Sequence, residues 1–133
     1  MNTLTREIHT CLSQLSASED GKLSARAVFP PGFTGFKGHF PGDPVLPGVC
    51  IVQTAVVVAS LIRRRDAELK HLVSAKWYAP VRPGEELRFA GDERPEGKEE
   101  ATLKFRVTRG PEKAAELTLK VVYLTAERNE ELS

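Results

Sequence analysis

A segment rich in proline and glycine, residues 30–48, most constrains what this chain can fold into. It holds five prolines and five glycines, a density that breaks helices and strands. The same segment carries Phe33, Phe36 and Phe40, whereas a flexible linker is poor in aromatic residues. The pattern predicts an ordered, packed loop that carries function, with a purely structural crossover as the alternative.

An apolar segment, residues 49–65, follows this loop directly. It is long for a strand, and its apolar side chains would lie on every face of a helix, which is typical of a buried helix. The three arginines at 63–65 would complement the negative end of the helix dipole. Because the apolar run 49–62 is shorter than the ~20 residues of a membrane span, we predict a buried central helix and no membrane insertion.

Most of the remaining chain alternates apolar and polar residues, as β-strands do. The alternation and the turn residues between segments predict six strands, at 7–15, 22–29, 71–79, 86–90, 101–108 and 115–123. Two strands, one helix and four strands indicate a single α+β domain over residues 1–126, with a charged tail at 127–133. One curved antiparallel sheet wrapped around the central helix would cover every apolar face.

Composition excludes several classes of protein. Lys and Arg total 19 against 18 Asp and Glu, so no bulk charge draws the chain to nucleic acid or anionic membrane. Two cysteines are too few for a disulfide framework or a zinc cage, and the three histidines lack the spacing of a metal site. No phosphate-binding glycine loop follows a strand. Since the N-terminal residues lack the apolar stretch of a signal peptide, we expect a cytoplasmic protein without metal or cofactor.

Three residues stand out chemically. His39 has apolar, conformationally restricted neighbours, which favours a neutral imidazole able to accept a proton, although a loop histidine that only bonds a carbonyl is the alternative. Gly48 would begin the helix, where backbone N–H groups lack partners and can polarise a carbonyl. Gln53 is a polar residue in an apolar turn, so it needs partners or lines a polar pocket. For His9 and His71, in strand-like segments, we favour structural roles.

Residues 38–49, GHFPGDPVLPGV, closely resemble the active-site loop of the 3-hydroxyacyl-(acyl carrier protein) dehydratases of fatty acid synthesis. The resemblance continues more weakly over residues 76–87 and implies that family's hotdog fold, a curved antiparallel sheet around one long helix. It also implies that His39 removes the α-proton of a 3-hydroxyacyl thioester and that the Gly48 N–H binds the thioester carbonyl. Three neighbouring residues would contact the substrate: Phe40, Pro47 and Val49.

Position 53 departs from the family pattern. The family has Glu or Asp fourteen residues after its catalytic histidine, where this chain has Gln53. An amide cannot donate a proton as a carboxylic acid does, and losing one acid–base group costs about 10²–10⁴-fold in rate. His39 alone would then take the α-proton and return one to the departing hydroxyl, which Gln53 would orient. The sequence favours a dehydratase that forms the 2-enoyl thioester; a non-catalytic acyl-thioester binding module and a hotdog thioesterase remain alternatives.

The resemblance implies a homodimer in which His39 of one copy meets residue 53 of the other, or a trimer of such dimers. The acyl group would be carried by acyl carrier protein or coenzyme A. Acyl carrier proteins are acidic, so a basic rim at the pocket mouth would suit one, although a solvated helix end is an equal alternative. Five cations are candidates for this rim: Arg63, Arg64, Arg65, Lys76 and Arg82.

Overall fold

The computed structural model describes residues 2–37 and 42–124, so His39, Phe40 and the tail predicted at 127–133 lie outside the described residues. Two α-helices and six strands follow one another within these ranges: α1 (Thr3–Cys11), β1 (Leu12–Ala17), β2 (Lys22–Val28), α2 (Gly48–Arg63), β3 (Ala67–Trp77), β4 (Glu86–Glu96), β5 (Glu100–Arg109) and β6 (Glu112–Tyr123). One turn of 3-10 helix, Thr34–Phe36, lies within the proline-rich segment.

The six strands form one antiparallel sheet in the order β1-β2-β4-β5-β6-β3. Side chains alternate between its two faces, as the sequence pattern predicts. Leu23, Phe105 and Leu117 belong to one cross-strand row and are buried, while Ser24 and Arg106 belong to the next row and are not. This is the α+β layout predicted from the sequence, with the apolar face of the sheet toward the central helix.

Helix α2 occupies the core of the domain. Nine of its 16 residues are buried, in agreement with the predicted all-apolar helix. Thr54, the buried polar residue among them, donates its hydroxyl to the Cys50 carbonyl oxygen at 2.7 Å, so its burial leaves no unpaired donor. The helix stops at Arg64, which adopts a left-handed conformation with φ of 56°. Within the described ranges, no helix has the length and apolarity to span a bilayer.

The N-terminal segment corrects one prediction. The alternation suggests a strand over residues 7–15, yet the chain is helical as far as Cys11 and extended from Leu12. The side-chain oxygen of Asn2 accepts the Thr5 N–H at 2.8 Å and caps the new helix. Ile8 is fully buried, because α1 packs its apolar face against the domain. His9 therefore belongs to a helix and not to a strand.

Two strands extend further than the sequence pattern indicates. Strand β3 begins at Ala67 and not at position 71, and β4 continues to Glu96 and not to position 90. In β4, Pro95 pairs with Ala101 close to the hairpin end, where a proline is tolerated. Gly97, with φ of 78°, makes the turn into β5. Pairing with neighbouring strands thus overrides the local turn signals.

Candidate active site

The described end of the proline-rich loop, residues 42–47, is held against the connection between β3 and β4. The Leu46 N–H donates to the Val81 carbonyl oxygen at 2.8 Å, and both side chains are buried. Arg82 Nε donates to Asp43 Oδ1 at 3.0 Å. That hydrogen bond and the guanidinium charge lower the pKa of the Asp43 carboxyl. The chain therefore enters α2 along a defined path.

The first turn of α2 presents backbone donors. Pro47 precedes the helix as its N-cap residue, and its carbonyl oxygen accepts the Cys50 N–H at 3.0 Å. Within the described part of the chain, the N–H groups of Gly48 and Val49 donate to no other residue. A Cβ atom at Gly48 would lie only 2.6 Å from the indole ring of Trp77, so any other residue there would require the indole to move. A carbonyl oxygen brought to this helix start would meet unpaired donors.

Gln53 lies on a different side of α2, facing α1. Its Nε2 donates to Thr5 Oγ1 at 3.3 Å, in a partly buried contact. Together with His9 of α1, Val57 of α2 and Leu69 of β3, these two residues line a cavity of about 530 Å³. The sequence predicts that Gln53 either has a hydrogen-bond partner or lines a polar pocket. In the structure it does both.

Within one chain, the Gly48 N–H group and the Gln53 side chain point in different directions. They are five positions apart, which turns the outward direction by ~140° and advances ~7.5 Å along the helix. The unpaired N–H groups of Gly48 face beyond the helix start, since the first amides of a helix point along its axis. Gln53 instead contacts α1. One chain therefore does not direct both groups at the same substrate atoms.

Comparison with known proteins identifies the family. A family model described as ApeI-like, ApeI dehydratase, matches residues 15–122. The chain belongs to the ApeI-like dehydratase family. This membership agrees with the resemblance carried by residues 38–49 and confirms a dehydratase relationship.

Curated relatives of this ApeI-like chain are 3-hydroxyacyl-(acyl carrier protein) dehydratases named FabZ. The protein from Geotalea uraniireducens (strain Rf4) is 39% identical over 63 residues, which covers 41% of this chain and 43% of the relative. The protein from Ligilactobacillus salivarius (strain UCC118) is 45% identical over 61 residues, covering 41% and 44%. The chain thus matches less than half the length of these relatives.

Solved structures confirm the hotdog fold of the ApeI-like chain. The dehydratase heterocomplex ApeI:P from Xenorhabdus doucetiae superposes with a TM-score of 0.70 at 22% identity, covering 84% of this chain and 96% of that one. The PaaI protein of the E. coli phenylacetic acid degradation operon superposes with a TM-score of 0.61 at 14% identity, covering 90% and 92%. At these identities the likeness shows the fold alone.

The chain places its five candidate rim cations in three places. Arg63, Arg64 and Arg65 lie at the C-terminal end of α2. Arg82 bonds Asp43 just before the helix begins, about 24 Å from that end for a helix of this length. Lys76 pairs with Glu116 in the exposed row of the sheet, on the face away from α2. Arg63 pairs with Glu93, and Arg65 Nη2 contacts Glu99 Oε2 at 3.1 Å. Within one chain these cations are therefore spread over separate places, and the basic rim stays a prediction.

The structure adds three residues that no sequence pattern singles out: Thr5 and His9 on the cavity wall, and Trp77 over Gly48. Thr5 is 48 residues before its partner Gln53, and only the packing of α1 beside α2 brings the two together. A short-range sequence pattern cannot predict such a long-range contact. Nothing in the sequence links Trp77 to Gly48. The contact depends on the register of β3 in the sheet, which places Trp77 at the end of the strand.

Proposed function

We propose that this protein eliminates water from a 3-hydroxyacyl thioester and releases the 2-enoyl thioester. The observation that carries the proposal is the pair of N–H groups at Gly48 and Val49 that have no acceptor among the described residues, directly after a loop whose sequence resembles that of the dehydratases. Family membership over residues 15–122 supports the same class of reaction.

In this mechanism the thioester carbonyl oxygen accepts hydrogen bonds from the N–H groups of Gly48 and Val49. Fixed donors stabilise the negative charge that develops on that oxygen when the α-proton leaves. His39 takes the proton from C2, the C–H electron pair becomes the C2–C3 double bond, and the C3–O bond breaks. The imidazolium then gives its proton to the departing oxygen, so that water leaves and His39 is neutral again. Gln53 of a second copy of the chain orients the hydroxyl through a hydrogen bond, since its amide cannot ionise.

The test of this function is a conversion assay on the native chain. The purified protein is incubated with short and medium 3-hydroxyacyl-(acyl carrier protein) and with the matching coenzyme A thioesters, and products are followed by mass. We expect the acyl group to become lighter by one water, with the carrier still attached. Release of free thiol would instead indicate a thioesterase, and saturable binding without conversion would indicate a binding module; either result contradicts the proposal.

We further propose that two copies associate through strand β3. This strand forms one edge of the sheet, and an unpaired edge is a template for pairing with another chain. Five large apolar side chains on or just after β3 are exposed by 39–50%: Leu69, Leu72, Val73, Trp77 and Tyr78. Edge pairing would cover them. It would also bring the beginning of α2 in one copy toward Gln53 of the other, which one chain alone does not achieve.

A charge on this edge should separate the copies. We expect the native chain of 14.7 kDa to show twice that mass in light scattering, and Val73→Lys to show the monomer mass. Burying a lysine charge in an apolar interface is costly, whereas the same charge on a free surface is not. Leu15→Lys is the matched control, because Leu15 is 38% exposed on the opposite edge strand β1 and should leave the dimer intact. A native monomer that pairs only with a second hotdog chain would contradict the homodimer.

A further inference from the structure

We infer that Thr5 is a positioning residue, which restrains the amide of Gln53 on the wall of the reaction cavity. The inference rests on the proposed function, because it gives Gln53 a place beside the departing hydroxyl. Its physical basis is the hydrogen bond of 3.3 Å between Gln53 Nε2 and Thr5 Oγ1. A glutamine side chain has three rotatable bonds, so an unrestrained amide would spend part of its time turned away from the substrate.

Thr5 occupies a fixed place because several contacts other than its hydroxyl hold α1. Asn2 caps the helix through the Thr5 backbone N–H, and Ile8 is fully buried. Glu7 Oε1 accepts the Thr34 N–H at 3.0 Å, and hydrogen bonds from Thr34 lower the pKa of the Glu7 carboxyl. The Thr5 hydroxyl is therefore not required to keep α1 in position, and its contact with Gln53 is separable from the stability of the helix.

The arrangement also leaves a defined end of the amide for the substrate. Gln53 Nε2 donates to Thr5, while Oε1 has no hydrogen-bond partner among the described residues. An amide oxygen accepts the hydrogen of a hydroxyl group, which leaves a lone pair of the hydroxyl oxygen for an incoming proton. The leaving group of a dehydration needs that lone pair, because it departs as water.

Kinetics on two pairs of variants test the inference. Thr5→Val keeps the branched shape and removes the hydroxyl, so we expect kcat to fall about threefold to tenfold, the value of one ordinary hydrogen bond, with KM within twofold. Thr5→Ser should restore kcat, because it restores the hydroxyl. Thr10→Val is the matched control on the same helix, since the Thr10 hydroxyl is exposed and donates to the Glu7 carbonyl oxygen within its own helix.

The decisive comparison repeats Thr5→Val in a Gln53→Ala background. If Thr5 acts through Gln53, the second substitution should cause no further loss of kcat, because the residue to be positioned is gone. A purely structural Thr5 would lower kcat by the same factor in both backgrounds. That result, or an unchanged kcat in Thr5→Val alone, would overturn the inference while leaving the dehydratase proposal intact.

A spectroscopic measurement keeps the inference testable if the native chain shows no turnover. The chain contains two glutamines, Gln14 and Gln53. The side-chain amide peak of Gln53 in a proton–nitrogen NMR spectrum is therefore assigned by its absence in Gln53→Ala. We expect Thr5→Val to shift this signal toward that of a free glutamine and Thr5→Ser to leave it in place. An amide signal that is identical in the native chain and in Thr5→Val would refute the restraint, whatever the activity.

Discussion

Replacing His39 with alanine should reduce dehydration of a 3-hydroxyacyl thioester by at least 10²-fold and up to about 10⁴-fold in kcat, the range that one general acid–base group contributes. The loss belongs near the upper end of that range, because Gln53 cannot take over a proton transfer. In the proposed mechanism His39 both accepts the α-proton and returns a proton to the leaving oxygen. The measurement is the conversion of the thioester, followed by mass, at equal enzyme concentrations.

His39→Asn distinguishes two roles of His39: a catalytic base, and a loop residue that only hydrogen-bonds a carbonyl oxygen. Asparagine retains a hydrogen-bond donor but has no group that accepts a proton near neutral pH. We therefore expect His39→Asn to be as inactive as His39→Ala. Unchanged thermal unfolding and light-scattering mass in both variants show that the fold and assembly persist. Turnover that survives in His39→Asn would contradict the role of His39 as the base.

The sequence predicts the sheet and the central helix well because both depend on short-range patterns. Residues 101, 103, 105 and 107 alternate with polar neighbours and are buried in β5 as predicted. The helix expected over residues 49–65 is observed over Gly48–Arg63. The N-terminal helix was not predicted, because only Leu4, Ile8 and Cys11 carry its apolar face and a period is hard to recognise from so few residues. Its cap at Asn2 and its packing beside α2 decide the outcome.

The motif at residues 38–49 predicts where free backbone N–H donors occur, but it does not predict which side chains surround them. A helix start at position 48 follows from the sequence, whereas the crowding of any Cβ atom there by the indole of Trp77 depends on where β3 ends. The cations predicted for the basic rim show a similar limit of the sequence. Arg65 and Arg82 lie beside opposite ends of α2, so a count of charges along the chain cannot place them on one surface.

Converting Gln53 to glutamate should raise the rate of dehydration by at least tenfold, out of the ~10²–10⁴-fold that a positioned acid contributes. The substitution changes an amide nitrogen to an oxygen and keeps the shape of the side chain, so Thr5 can still hold it by donating its hydroxyl to the carboxyl. A protonated carboxyl at this position can give its proton to the departing oxygen. His39 is then relieved of the second proton transfer.

The gain should depend on pH in a defined direction, because only the protonated carboxyl donates. Partial burial, together with the carboxylates of Asp66 and Glu68 on the same cavity wall, raises the pKa of a new acid there, and a charged His9 would lower it. The ratio of kcat for Gln53→Glu to kcat for the native chain should therefore fall as pH rises through that pKa. Gln53→Ala is the control, and its ratio should stay flat. A native chain without turnover that becomes active as Gln53→Glu would show an intact pocket that lacks its acid, and would favour the binding module over the enzyme.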